Sequence, residues 1–201
     1  MKLRQSGMPE EEYWESLFDV DLVLDRLGIS GLSGDLVELG CGYGTFTLPA
    51  AGRTSGVLRT YDIDSEMAAR TRARAILEGA ANVLCEVRDV FEEGFGVASG
   101  SQSGCLLFNI LHCEEPVRLL KEAARVLRPA GSVYVIHWKC DPATPRGPTM
   151  DIRPRPERIR AWALEAGLSA ASDEAIDLPP FHFGIVFARS ARGPDSVRSV
   201  P

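Results

Sequence analysis

Short apolar runs alternate along the chain with longer stretches whose apolar residues recur every three or four positions. The runs at residues 35–39, 56–62, 82–88, 105–111 and 132–137 are rich in apolar and β-branched residues and too short for ordinary helices. They predict strands. Between them lie helical patterns. Residues 65–78 follow Asp64, a suitable cap, and stop at Gly79; Pro116 opens a helix carrying Val117, Leu120, Ala124 and Leu127 at helical intervals, and Pro129 closes it. Pro156 opens another helix, which ends at Gly167. A helix is also expected from Thr45, kinked or delayed by Pro49, and an amphipathic one from Pro9 to Leu27, with Trp14, Leu17, Phe18, Leu22, Leu24 and Leu27 on its apolar side. Residues 91–104, rich in glycine and serine, read as a loop. So do the turn-rich residues 141–154.

Two final runs, 170–177 and 182–189, follow with little between them, which predicts an antiparallel hairpin at the edge of a mostly parallel sheet. The expected organisation is an N-terminal helical cap over residues 1–34, one α/β domain over 35–189 and a disordered tail over 190–201. A chain of 201 residues suits one such domain. Its 45% apolar and 25% charged residues are ordinary for a water-soluble protein, and a net charge of −6 does not invite nucleic acid or an anionic membrane. No apolar run approaches the roughly 18 residues of a membrane span. The N-terminus has no secretory pattern, and five cysteines without framework spacing favour reduced thiols, so a cytoplasmic location is expected. Oligomeric state cannot be read from the sequence.

The stretch with chemistry in it is Val37-Glu38-Leu39-Gly40-Cys41-Gly42-Tyr43-Gly44-Thr45. An apolar run, three alternating glycines and a helix start predict a strand, a tight loop that a ligand can approach closely, and N–H groups suited to an anionic group. Thr45 stands where the nicotinamide fingerprint needs its third glycine. Asp62 ends the next apolar run, 22 residues after Gly40, the interval at which a second parallel strand brings a carboxylate to a ribose.

With these residues the chain resembles the class I S-adenosylmethionine-dependent methyltransferases, of the type acting on small molecules. Glu38–Gly44 matches that family's first motif. Asp89, the run Leu107-Phe108-Asn109-Ile110-Leu111-His112 and the turn Arg125-Val126-Leu127-Arg128-Pro129-Ala130-Gly131 extend the match, with Ala130 in place of a glycine. The resemblance covers residues 35–189. It implies a Rossmann-like seven-stranded sheet of order 3-2-1-4-5-7-6 with helices on both faces, S-adenosyl-L-methionine as cofactor and a small-molecule acceptor. It also implies the site. Gly40, Cys41, Gly42 and Gly44 would carry the methionine part. Glu38 would orient its ammonium, directly or through water, or cap loop N–H groups. Asp62, with Ile63 beside it, would hold the ribose; Asp89 and Val90 would hold the adenine; Asn109 would line the cleft near the sulfonium. His112 would act as a base or merely close its loop. Asn109-Ile110-Leu111-His112 departs from the [DN]-P-P-[YFW] of enzymes that methylate nucleic-acid amino groups.

Tyr13 and Trp14 are candidates to cover the cofactor. The acceptor side is expected along residues 138–155 and 178–182, with His137, Arg146, Arg153, Phe181 and His182. His112, Cys113, His137 and Cys140 are zinc-compatible types, but their spacing matches no usual motif and no metal is expected. Two other functions compete: a non-catalytic cofactor-binding or partner-binding module of the same fold, and a nicotinamide-dependent oxidoreductase, disfavoured by Thr45 and the closing antiparallel pair.

Overall fold

The computed structural model describes residues 8–189, so the expected tail and the first seven residues lie outside the described part. Eight strands form one mixed sheet: β1 (Leu36–Leu39), β2 (Leu58–Asp62), β3 (Val83–Val87), β4 (Gln102–Phe108), β5 (Leu127–Trp138), β6 (Leu168–Ala170), β7 (Ile176–Leu178) and β8 (His182–Arg189). Their order is β3-β2-β1-β4-β5-β8-β6, with β7 also paired to β8. The first five are parallel to one another; β8 runs antiparallel to β5, β6 and β7. This is the expected Rossmann-like order, with the predicted sixth strand divided in two. The division falls at Ser172-Asp173-Glu174, where the Glu174 N–H donates to Ser172 Oγ (3.2 Å) and turns the backbone away from β8.

Seven helices complete the described part: α1 (Glu11–Glu15), α2 (Val20–Arg26), α3 (Thr47–Ala51), α4 (Ser65–Leu77), α5 (Val90–Glu93), α6 (Pro116–Val126) and α7 (Pro156–Glu165). The single N-terminal helix expected to Leu27 is two short ones. Asp19 accepts from the Leu22 N–H (3.0 Å) and caps a fresh start at α2. The expected 91–104 loop is likewise corrected: Asp89 caps α5, and β4 begins three residues earlier than predicted. Pro49 sits within the first turn of α3, where a missing N–H costs no intrahelical bond, and the helix starts two residues later than predicted.

Side-chain alternation along the strands builds two core layers. Val37 and Leu39 of β1, Cys105 and Leu107 of β4, and Val133 and Val135 of β5 pack with Leu119, Leu120 and Ala123 of α6 and Ile159 and Ala163 of α7. Leu36, Leu106, Phe108, Tyr134 and Ile136 face the other way, onto Val23 and Leu24 of α2 and Phe46, Ala50 and Ala51 by α3. Both faces of β1 and β4 are therefore covered, which is why their sequences read as unbroken apolar runs. Glu38 is the exception. It lies in the middle of β1, directed to the α3 face, and is 2% exposed.

Candidate active site

The carboxyl ends of β1 and β4, adjacent in the sheet, open a cleft at the switch point where crossovers leave in opposite directions. It encloses about 1170 Å³, solvent at its mouth included. Gly40 fastens the loop after β1 to the neighbouring strand by donating to the Tyr61 carbonyl (2.7 Å). Gly40, Gly42 and Gly44 all have positive φ, at 85°, 52° and 79°, so this loop needs glycine for its path as well as for access. A Cβ on Gly42 would also stand 3.2 Å from Met8 Cε.

Two carboxylates organise the loop. Asp62 Oδ2 accepts from the Gly42 N–H (3.1 Å) and Oδ1 from the Asp64 N–H (2.9 Å), so the end of β2 pins the glycine loop. Burial raises the Asp62 carboxyl above its usual range, partly offset by those N–H groups. Asp64 in turn caps α4, as expected. Glu38 Oε2 accepts from Thr47 Oγ1 of α3 (2.6 Å) and Thr60 Oγ1 of β2 (2.7 Å). Its partners are therefore hydroxyls, where the sequence left open the capping of loop N–H groups. Burial pushes its carboxyl up to about 7, the two hydroxyls pulling the other way and the Asp62 charge adding to the rise.

Asn109, at the end of β4, holds a left-handed backbone (φ 57°), and both ends of its side-chain amide are buried without a partner among the described residues. Such a group is expensive unless something else completes it, which marks the cleft as a place built for a polar ligand. Asp89 lines the cleft while capping α5 through the Phe91 N–H (3.0 Å). Val90 beside it is buried. His112 also lines the cleft, its Nδ1 buried without a partner among the described residues. Burial, and next the charge of Arg153, lower its pKa, so the ring is neutral at physiological pH.

The cleft thus gathers Glu38, Gly40, Cys41, Gly42, Asp62, Ile63, Asp89, Val90, Asn109 and His112. Gly44 is not among its lining; its N–H donates to the Cys41 carbonyl (2.8 Å) and a Cβ there would strike Leu48, so it serves the turn. Trp14 lines the cleft and Tyr13 does not. Other lining residues escaped the sequence reading. Phe46 and Phe108 make an edge-to-face pair (5.0 Å) on its wall, and Met8, Met67 and Arg88 add to it. Phe46 follows the glycine loop directly and Arg88 precedes Asp89, so position alone was the available signal.

The expected acceptor side is corrected. His182 is 1% exposed, stacked on Phe18 (4.4 Å) with Trp138 at 4.1 Å. His137 is fully buried against His112 (5.7 Å). Neither lines the cleft, and Phe181 does not either. Arg153 is not a ligand grip. It is buried and donates to the carbonyls of Lys139 (2.8 Å), Arg146 (3.3 Å) and Pro148 (2.8 Å) and to Thr144 Oγ1, stapling the 139–153 loop shut. Among the described residues no group of three or more His, Cys, Asp or Glu is placed to hold a metal ion, and no helix is long and apolar enough to cross a membrane.

Residues 36–131 match a family model described as a methyltransferase domain. This stretch holds the glycine loop, both organising carboxylates, Asp89, Asn109 and His112. The fold around it agrees. A SAM-dependent methyltransferase from Aquifex aeolicus superposes with a TM-score of 0.76 at 20% identity, over 90% of this chain and 94% of that one. A geranyl diphosphate methyltransferase solved with SAM gives 0.69 at 16%, over 91% and 93%. The [4+2]-cyclase SpnF gives 0.71 at 16%, over 94% and 85%. At such identities the likeness carries the fold, and the cyclase shows that the fold by itself does not dictate the reaction. No curated protein sequence matches. The matched stretch ends within β5, so Met8 and Trp14 reach the cleft from outside it.

Proposed function

We propose that the protein is an S-adenosylmethionine-dependent methyltransferase acting on a small-molecule acceptor. The observation that carries this is the unpartnered, buried Asn109 amide in a cleft floored by a glycine loop and flanked by Asp62 and Asp89 at the ends of two adjacent strands, with Glu38 inside a third. The residues present fit the cofactor. Asp62 Oδ1 accepts from one N–H and keeps capacity for a hydroxyl, while Oδ2 accepts from the Gly42 N–H and from Cys41 Sγ (3.7 Å), a weak thiol donor that a ribose hydroxyl can displace. Asp89 is an acceptor for an exocyclic amino group, and Ile63 and Val90 supply flanking apolar surface. Glu38 is an acid that a bound ammonium would convert to its charged form. Gly40, Cys41 and Gly42 present backbone to the ligand.

When bound, the cofactor supplies a methyl group on a sulfonium that is already a good leaving group. The protein's part is alignment and exclusion of water. The Trp14, Phe46 and Phe108 wall keeps the cleft dry, and Asn109 fixes polar orientation. Neutral His112 takes a proton at Nδ1 from an acceptor that arrives protonated.

Calorimetric titration with S-adenosylmethionine, S-adenosylhomocysteine and NAD tests the cofactor, and a screen of small acceptors with labelled methyl donor tests transfer. Preference for NAD refutes the reading. Tight binding without transfer to any acceptor points to the non-catalytic module of the same fold.

A further inference from the structure

A second cavity adjoins the cleft. It runs between the start of α6 and α7, is closed at one end by Asp151 and Ile152 of the Arg153-stapled loop, and encloses about 1400 Å³, open solvent included. Two residues line both cavities: His112 and Cys113. They form the wall between cofactor cleft and groove, so a molecule lying in the groove meets the cleft at an imidazole whose buried Nδ1 lacks a partner among the described residues.

The groove has its own chemistry. Its floor is apolar: Leu111, Pro116, Val117 and Ile152. Three cations border it. Arg118 is engaged by Glu115 (3.1 Å), whereas Lys121 and Arg158 have no carboxylate within ion-pair distance among the described residues; Arg158 rests over the Trp162 ring at 4.9 Å. Of the bordering acids, Glu115 is the partner of Arg118, and Asp151 is occupied by Thr149 and its own turn. Glu114 adjoins Cys113, at the wall, where it disfavours a second anionic group.

We propose that this groove is the acceptor pocket, and that it takes a small molecule with an apolar body and an anionic head, the head held by Lys121 and Arg158 and the uncharged nucleophilic end at His112. The proposal rests on the methyltransferase reading above and names its substrate class. A carboxylate and a phosphate offer the same chemistry to these two cations.

The test uses the whole protein saturated with S-adenosylhomocysteine and measures binding of 3-phenylpropionate and phenyl phosphate against 3-phenylpropanol by saturation-transfer NMR and competition. The two anions bind and the alcohol binds at least about tenfold more weakly; the charge-reversed double variant K121E/R158E loses the same factor for both anions. Both replaced residues are exposed, so the variant folds, and its unchanged affinity for S-adenosylhomocysteine verifies this. Stronger binding of one anion assigns the head group. Equal binding of the alcohol, no saturable binding by any probe, or anion affinity unmoved in the double variant overturns the proposal while leaving the cofactor reading intact. Absence of S-adenosylhomocysteine binding by the wild type overturns that reading instead.

Discussion

Glu38→Gln isolates the cost of holding a carboxyl inside β1. The wild-type group ionises near 7 in the folded protein against an ordinary value of 4.5, because burial outweighs the two threonine hydroxyls. The sign follows from proton counting. Between those two values the folded state binds more protons than the unfolded one, so stability falls as pH rises through the window. The full difference corresponds to about 3 kcal/mol at about 1.4 kcal/mol per pH unit. Between pH 5 and pH 8 the integrated loss is about 2.5 kcal/mol. Glutamine retains a carbonyl to accept from Thr47 and Thr60 and cannot ionise. Urea denaturation of both proteins at the two pH values should therefore show the variant gaining about 2.5 kcal/mol on the wild type at the higher one. His112, His137 and His182, all depressed, lose stability as pH falls, but they are common to both proteins and cancel. A gap between variant and wild type that is the same at both pH values would refute the reasoning. A second readout concerns the ligand: S-adenosylhomocysteine binding near pH 6 should release roughly one proton in the wild type and none in the variant, measured calorimetrically in buffers of different protonation heat.

Three further outcomes follow from the site geometry. Asp62→Ala should weaken S-adenosylmethionine binding by about 1.5–3 kcal/mol per hydroxyl bond lost, with an added stability cost of about 1–3 kcal/mol from the orphaned Gly42 and Asp64 N–H groups; an unchanged dissociation constant sinks the ribose assignment. Gly42→Val should abolish cofactor binding and lower stability by about 1–3 kcal/mol, since a branched residue is forced to φ 52° with its Cβ against Met8; wild-type calorimetry and denaturation would contradict this. Arg153→Lys should destabilise by about 2 kcal/mol in spite of its retained charge, because an ammonium cannot reach the carbonyls of Lys139, Arg146 and Pro148 together; a midpoint equal to that of the wild type would show the staple to be dispensable.

The sheet was readable because its signal is local. Runs such as Leu36–Leu39 and Cys105–Phe108 are covered on both faces and so are apolar apart from Glu38. What the sequence reading missed turned on single polar residues. Asp19 restarts a helix inside an apolar stretch, Asp89 caps α5 at the head of a glycine-rich segment, and Ser172 divides a strand. Each was visible as a cap or turn former, but the composition around it argued the other way and was given more weight. Within the site, Glu38 stood out as an acid in an apolar run. Its partners did not: Thr60 faces it through strand register and Thr47 reaches it from α3, contacts that no linear motif encodes.

The two halves of the site differ in how far their residues lie apart along the chain, and that difference explains which half could be read. Parallel strands deliver their carboxyl ends side by side, so the loop after β1, the acid ending β2 and the residue ending β4 converge through the sheet itself. A few residues at set intervals therefore mark out the cleft, though not its Phe46, Phe108 and Met8 walls. The groove proposed for the acceptor has no such scaffold. Its walls come from the turn before α6, from α7, and from a loop whose closed shape depends on one buried guanidinium satisfying carbonyls up to 14 residues away. Arg153 looked like a substrate ligand in the sequence because its chemistry suits anions, and in the fold its donors are already taken by backbone. The cations left for the proposed ligand are Lys121 on α6, which carries no motif, and Arg158 at the start of α7, one of the basic cluster Arg153, Arg155, Arg158 and Arg160 that the sequence offers as a grip for an anionic substrate. Changing those helices and that loop would alter the acceptor without disturbing the glycine loop, Asp62 or Asn109. A shared cofactor half is thus compatible with divergent reactions, as the cyclase on the same fold illustrates. On the proposed reading, the chemistry peculiar to this protein resides in the groove beyond His112.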